Sequence, residues 1–252
     1  MLTFNHRTAL ITGAGRGIGA ATALLCARNG CDVAVNYARD AQAAADVAAQ
    51  VQALGRRAVA VAADVSREAD VLRLFQTVDG ELGTLTALVN NAGVVDVQAR
   101  VDAMSAGRLT RMFAINVVGS MLCAREAVRR MSTRYGGAGG AIVNLSSAAA
   151  RLGSPGQYVD YAAAKGAIDT FTLGLAREVA DEGIRVNAVR PGIIATDIHA
   201  SGGEPGRALR LAPQVPMRRA GSADEVAQAV WWLLSDAASY ATGAVIDVSG
   251  GR

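Results

Sequence analysis

The chain has 252 residues, 51% of them hydrophobic and 19% charged, enough apolar side chain for one large α/β unit or two small ones and too much for a disordered chain. Its net charge of +3 is mild and its arginines are scattered, which argues against a nucleic-acid surface. No apolar run reaches the roughly 18 residues of a membrane span, so no membrane partner is expected.

From the N-terminus, no basic-then-apolar leader precedes the first strand, and a cytoplasmic chain is expected. Residues 8–12 form that short apolar strand. It runs into Gly13-Ala14-Gly15-Arg16-Gly17-Ile18-Gly19 and a helical stretch over 20–28. A strand, a glycine-rich turn and a helix start make an anion site, because bare backbone approaches closely and the first helical N–H groups point at phosphate. The spacing is G-x-x-x-G-x-G with a further glycine at 15, not the common G-x-G-x-x-G. Opened by Thr12, it resembles the cofactor loop of the short-chain dehydrogenase/reductase family.

Cys26 and Cys31 follow, with Cys123 later; an odd count and no Cys-x-x-Cys pair leave them as core residues, without a disulfide framework or zinc site. His6 and His199 are too few and too distant in sequence for a metal site. The second strand, 32–36, carries Asp32 at its start, away from the carboxyl edge where a ribose-binding acid belongs. It ends in Asn36-Tyr37-Ala38-Arg39, leaving Asn36, Tyr37 and Arg39 beside the cofactor. No carboxylate there repels a 2′-phosphate, while Arg16 and Arg39 are placed to receive one. The resemblance adds that an arginine at position 16 is the family's NADP-preferring pattern, so NADP(H) is favoured over NAD(H). Solvent exposure before a helix is the alternative role for Arg39.

A helix over 41–54 and a strand over 57–62 lead to Asp64 and Val65, which flank adenine in relatives. Ser66 is expected to cap the next helix, 66–82. After a strand at 85–89 comes Asn90-Asn91-Ala92-Gly93, a specific family match. The resemblance implies that Asn90 steadies the sheet while Ala92 and Gly93 pass the cofactor ribose. Residues 104–132 read as one or two long helices. Within them Asn116 lies among Phe113, Ile115, Val117 and Val118, a costly place for an amide unless it is hydrogen-bonded. It matches the family asparagine that holds a water between the lysine and solvent.

A glycine-rich loop at 135–140 is the only linker-like stretch, yet the strand at 141–145 resumes the alternation, so a single domain is expected. That strand ends in Ser146-Ser147; the family pattern places the catalytic serine at Ser147, with Ser146 as the other candidate. Fourteen positions separate Ser147 from Tyr161, about one more than in many relatives. The loop at 151–160 therefore has room for an insertion. Tyr158, inside it, either lines the substrate pocket or packs.

Tyr161-Ala162-Ala163-Ala164-Lys165 opens the long helix expected over 160–181, and Lys165 is the only lysine in the chain. Positions i and i+4 share a helix face. An ammonium is a compact donor where a guanidinium is a wide fork, and a nearby cation lowers a phenol from about 10 toward working pH. Ordinary exposed pairs share the spacing, and the resemblance decides for catalysis. It implies that Tyr161 is the general acid/base, Ser147 holds the substrate oxygen, Lys165 binds the nicotinamide ribose, and Asn116 completes a proton relay.

The sixth strand, 184–190, is followed by Pro191-Gly192-Ile193-Ile194-Ala195-Thr196. In the family pattern the Pro191-Gly192 turn and Ile194 wall the nicotinamide, and Thr196 contacts its carboxamide or the phosphates. Residues 197–212 read as a lid, where His199 is solvated or touches substrate. Ser222 and Glu225 form a capping box for the last helix; Trp231 and Trp232 are core or subunit-contact residues. A final strand at 244–248 completes a single doubly wound parallel sheet of about seven strands with helices on both faces.

The resemblance covers nearly the whole chain and implies hydride transfer between NADP(H) and a small carbonyl or secondary-alcohol substrate. Segments 151–161 and 198–207 resemble bacterial glucose-dehydrogenase-like and 3-oxoacyl-acyl-carrier-protein-reductase-like enzymes, and no anion clamp is visible in them. Relatives are homotetramers built through their long helices, and the same is expected here. The alternative reading is an NADP-binding sensor or scaffold of the same fold.

Overall fold

The computed structural model describes residues 7–198 and 202–252. Strands β1 (Arg7–Ile11), β2 (Cys31–Tyr37), β3 (Ala58–Ala62), β4 (Ala87–Asn90), β5 (Gly140–Leu145), β6 (Ile184–Pro191) and β7 (Val245–Val248) form one sheet. Its order is β3-β2-β1-β4-β5-β6-β7, parallel throughout.

The strands read as near-continuous apolar runs because both faces of the sheet are covered. In β2, Val33 and Val35 enter one core while Ala34 enters the other, the two-residue period of a strand. The first core packs β-strand side chains under α1 (Gly17–Arg28), α2 (Ala41–Ala53) and α9 (Ala223–Leu234). The second packs the opposite face under α3 (Glu68–Leu82), α5 (Gly119–Met131) and, after the short α6 (Ala149–Leu152), α7 (Val159–Val179). Strands are added outward in one direction from β1 to β3 and in the other from β4 to β7, so the strand order reverses between β1 and β4. The loops leaving those strands diverge, and a crevice opens at the carboxyl ends.

Three local expectations change. Ser66 does not cap α3: its hydroxyl donates to Asp64 Oδ1 at 2.7 Å, and the helix starts two residues later with Arg67 at its N-cap and no side-chain cap. The stretch 104–132 is α4 (Ala106–Phe113), a π turn at Ala114–Val118, then α5. β4 begins at Ala87 instead of residue 85, and β3 and β7 each begin one residue later than expected. The Ser222–Glu225 capping box forms as expected. All three cysteines are buried. Trp231 packs on the first core and Trp232 is exposed. His199 lies outside the described residues, and so does part of the expected lid, whose described remainder includes α8 (Arg207–Leu211). No described helix is long and apolar enough to cross a membrane.

Candidate active site

The glycine loop is fixed from both sides by asparagines. Asn36 accepts from Gly13 N at 3.2 Å and donates to Val61 O and Ala63 O at 3.3 and 3.0 Å, so it ties the loop to β2 and β3. Its side chain is spent on backbone and reaches a cofactor only through the loop it holds. Asn91 donates to Thr12 O and Gly13 O, at 2.8 and 3.0 Å, and Thr12 Oγ1 accepts from Asn91 N and Ala92 N. The loop is tight: a Cβ on Gly19 would lie 2.5 Å from Gly13 O. At Gly15 a Cβ would make only ordinary contact, 3.4 Å from Ala44 N, so packing does not require glycine there. Arg16, at the N-cap of α1, gives no side-chain bond to the first turn. Bare backbone and an uncapped helix start fit the diphosphate of a dinucleotide.

At the end of β2, Tyr37 is partly buried and Arg39 is exposed, as is Arg16 across the loop. Asp40 turns away to cap α2 by accepting from Ala43 N at 3.0 Å. Asp32, at the opposite end of β2, pairs with Arg56 and Arg57, each at 2.8 Å. Neither the start nor the end of this strand offers a carboxylate to a ribose. Asp64 is held by Ser66, and Val65 is buried against Gly119, where a Cβ would come within 2.7 Å.

A buried chain of amides supports the centre. Asn90 Nδ2 donates to Asn144 Oδ1 at 2.9 Å and to Ser120 O at 3.1 Å; Asn144 Nδ2 donates to Thr172 Oγ1 at 2.9 Å. This links β4, β5 and α7. Asn116 is fully buried inside the π turn and exchanges two hydrogen bonds with the Val94 backbone, at 3.1 and 3.0 Å. A Cβ on Gly93 would meet Asn116 Oδ1 at 2.8 Å and Lys165 Nζ at 3.6 Å. The structure thus brings Asn116, Gly93 and Lys165 together. Asn144 and Thr172 escape sequence reading because nothing local marks them.

The start of α7 is anchored by Asp160, whose carboxylate has no exposed side-chain surface and accepts from Arg108 at 2.8 and 3.2 Å. Beside it Tyr161 stands next to Ser147 in the cavity both line. Ser146 donates to Lys165 O at 3.2 Å, while Ser147 accepts from Ala149 N at 3.1 Å and is the serine that acts on the phenol. Lys165 Nζ donates to Leu145 O at 2.6 Å and stands 5.6 Å from the centre of the Tyr161 ring.

The expected lowering of the tyrosine is reversed here. Burial pushes Tyr161 up to about 12, with the Ser147 hydrogen bond pulling the other way. Burial also pulls Lys165 down to about 8, opposed by Asp169. Sharing a helix face sets the ammonium over the ring, while its short bond goes to a strand carbonyl. Desolvation outweighs the Ser147 hydrogen bond at Tyr161 and the Asp169 charge at Lys165.

Ser147, Tyr161 and Lys165 line a cavity of about 160 Å³ together with Ile18, Asn91, Gly93, Pro191, Gly192, Ile194 and Thr196. Thr196 sits against the glycine loop, with its Cγ2 3.4 Å from where a Gly17 Cβ would stand. Tyr158 resolves as a cavity-lining residue, with the Arg207 guanidinium 5.1 Å above its ring. Arg207 and Arg252, both missed in the sequence, also line it. The glycine loop, the Asn-Asn-Ala-Gly segment, the serine and the tyrosine–lysine helix therefore converge on one crevice.

A family model described as enoyl-(acyl carrier protein) reductase matches residues 13–252. An uncharacterized oxidoreductase of Escherichia coli, YgfF, is 56% identical over 97% of this chain and 99% of its own. A solved short-chain type dehydrogenase/reductase from Mycobacterium marinum superposes with a TM-score of 0.90 at 35% identity, covering 97% of this chain and 94% of the other. This chain belongs to the short-chain dehydrogenase/reductase family. Glucose 1-dehydrogenase 2 of Bacillus subtilis is similar too, at 37% identity over 97% of this chain and 94% of that protein. Like its short-chain dehydrogenase/reductase relatives, the chain is an oxidoreductase with a seven-stranded doubly wound sheet.

Proposed function

We propose that the protein interconverts a carbonyl and a secondary alcohol with NADP(H), using Tyr161 as general acid and base. The observation that carries this reading is the meeting of Ser147, Tyr161 and Lys165 in the cavity that Ile18 and Thr196 extend toward the glycine loop. Gly13, Gly15, Gly17, Ile18 and Gly19 would hold the cofactor diphosphate, Asp64 and Val65 its adenine, Ala92, Gly93 and Lys165 its riboses, and Pro191, Gly192, Ile194 and Thr196 its nicotinamide. When bound, the nicotinamide supplies or accepts the hydride.

The side chains then handle the proton and the charge. Negative charge grows on the substrate oxygen during reduction, and two hydroxyl donors, Ser147 and Tyr161, are placed to stabilise it. A phenol pushed up to about 12 carries its proton at neutral pH. In the oxidation direction Tyr161 takes the proton, and Lys165 and the Asn116 turn provide the route by which it leaves. Arg16 and Arg39 are exposed beside the loop with no ion pair among the described residues, which supports NADP over NAD. The remainder of the 197–212 segment, with Arg207 against Tyr158, supports a lid, and a cytoplasmic homotetramer is part of the same reading.

Fold and family do not name the substrate; the matching family model is described as an enoyl-(acyl carrier protein) reductase and one relative as a glucose 1-dehydrogenase. The direct test is consumption of NADPH, with NADH in parallel, against ketones, aldehydes, quinones and acyl thioesters. We expect turnover with NADPH at least tenfold above NADH on the best substrate. Tight NADPH binding with no turnover on any of them would favour a cofactor sensor instead.

A further inference from the structure

Two consecutive glycines after β7 have left-handed backbone, Gly250 at φ 63° and Gly251 at φ 90°. A Cβ at either would press on Val215 at 2.8 Å or Pro216 at 3.1 Å, and Gly250 O accepts from Met217 N at 3.1 Å. The turn is therefore closely packed, and it delivers Arg252 to the cavity that holds Ser147 and Tyr161. Ser249 secures the backbone there by donating to Arg252 O at 2.9 Å.

Among the described residues, no acidic side chain pairs with the Arg252 guanidinium. Its Nη1 is buried without a hydrogen-bond partner. An orphaned guanidinium nitrogen is costly unless a ligand answers it. Among the described residues, no acidic side chain lines this cavity. Of its other cations, Lys165 is held by Leu145 O, and Arg207 is neutralised by Glu204 at 2.7 Å while donating to Gln157 at 2.7 Å. In the adjoining cavity that Arg252 also lines, the two carboxylates are already taken, Glu225 by Arg219 and Asp247 by Arg151.

We propose that Arg252 receives a carboxylate on the substrate, so that the protein acts on a carbonyl or hydroxy compound bearing a second, anionic group. The inference rests on the oxidoreductase reading above and deepens it. The carboxylate is bound and unchanged; only the carbonyl is reduced, gaining the hydride at carbon and the Tyr161 proton at oxygen. The cofactor diphosphate is not the anion in question. Arg252 follows the edge strand β7, four strand spacings from the glycine loop after β1, roughly 19 Å at about 4.8 Å each. A fork of N–H donors matches a carboxylate well.

The test compares 4-oxocyclohexanecarboxylate with its methyl ester in NADPH-dependent reduction by the wild type, Arg252→Gln and Arg252→Lys. We expect the acid-over-ester ratio of kcat/KM to fall about tenfold or more in Arg252→Gln and to be partly restored in Arg252→Lys. The ratio is insensitive to the fraction of folded enzyme. A second measurement needs no turnover: calorimetric binding of cyclohexanecarboxylate against the neutral cyclohexanecarboxamide. Selective binding of the acid by the wild type, weakened at least tenfold in Arg252→Gln, supports the site even if no carbonyl is reduced. Turnover without acid preference, or a preference unchanged in Arg252→Gln, overturns the proposal and leaves the oxidoreductase reading intact. Equal binding of acid and amide also overturns it.

Discussion

At the scale of single residues, the site is governed by burial. Lys165 keeps its ammonium inside the protein at a cost, because desolvation disfavours the charged form. Its pKa of about 8 lies below the ordinary lysine value of about 10.4. Below about 8 both folded and unfolded chains carry the proton and the full penalty is present. Between about 8 and 10.4 the unfolded chain binds more protons, so stability rises with pH. Relative to Lys165→Met, the wild type should therefore gain stability between pH 7.5 and pH 9.5, as urea unfolding would measure. A difference independent of pH would show that the ammonium is not desolvated. The tyrosine and lysine were legible as a pair from their spacing. The sign of the tyrosine shift was not, because i,i+4 spacing fixes a shared face and not which atom the ammonium meets. Arg252 was invisible for a related reason: only the folded turn at Gly250 and Gly251 brings it to the cavity.

At the scale of elements, the glycine loop and α7 show how local sequence becomes site geometry. Gly19 leaves no room for a side chain: a Cβ would stand 2.5 Å from Gly13 O and 2.6 Å from Asn91 Nδ2. Gly19→Ala must shift backbone, and should cost roughly 1–3 kcal/mol by overpacking and weaken NADPH binding at least tenfold. Gly174→Ala on α7 meets nothing within 4 Å and should instead stabilise by about 0.5–1 kcal/mol through helix propensity. Urea midpoints for the two variants should move in opposite directions; like movements would contradict the packing account. The loop, the Asn90–Gly93 segment and the capping box were readable because each is a short run with its own backbone chemistry. The Ser66 cap failed because Asp64, two residues earlier, captures the serine hydroxyl. The Asn90–Asn144–Thr172 chain joins three distant elements, and no local pattern announces it.

At the scale of the whole molecule, sheet order places the candidate-site segments together at the carboxyl ends of the strands. The reversal between β1 and β4 sets the glycine loop beside the Asn90–Gly93 turn, and β5, β6 and β7 add Ser147, Pro191 and Arg252 in succession. The alternation of strand and helix made this architecture legible along the full length of the chain. The helices also leave large apolar side chains outward, with Phe113, Val118 and Met121 on the α4–α5 stretch and Leu173 on α7. Such groups suit subunit contacts. Sedimentation should give a particle of four 25.8 kDa chains, and a monomer at micromolar concentration would count against the tetramer.

The central claim is that Tyr161 moves the proton. The measurement that tests it most directly is NADPH-dependent reduction by Tyr161→Phe beside the wild type, with NADPH binding followed separately by fluorescence. The account predicts turnover lowered by at least a thousandfold, on the order of 4 kcal/mol of barrier, with NADPH affinity within a fewfold of wild type. Turnover retained in the phenylalanine variant would contradict it.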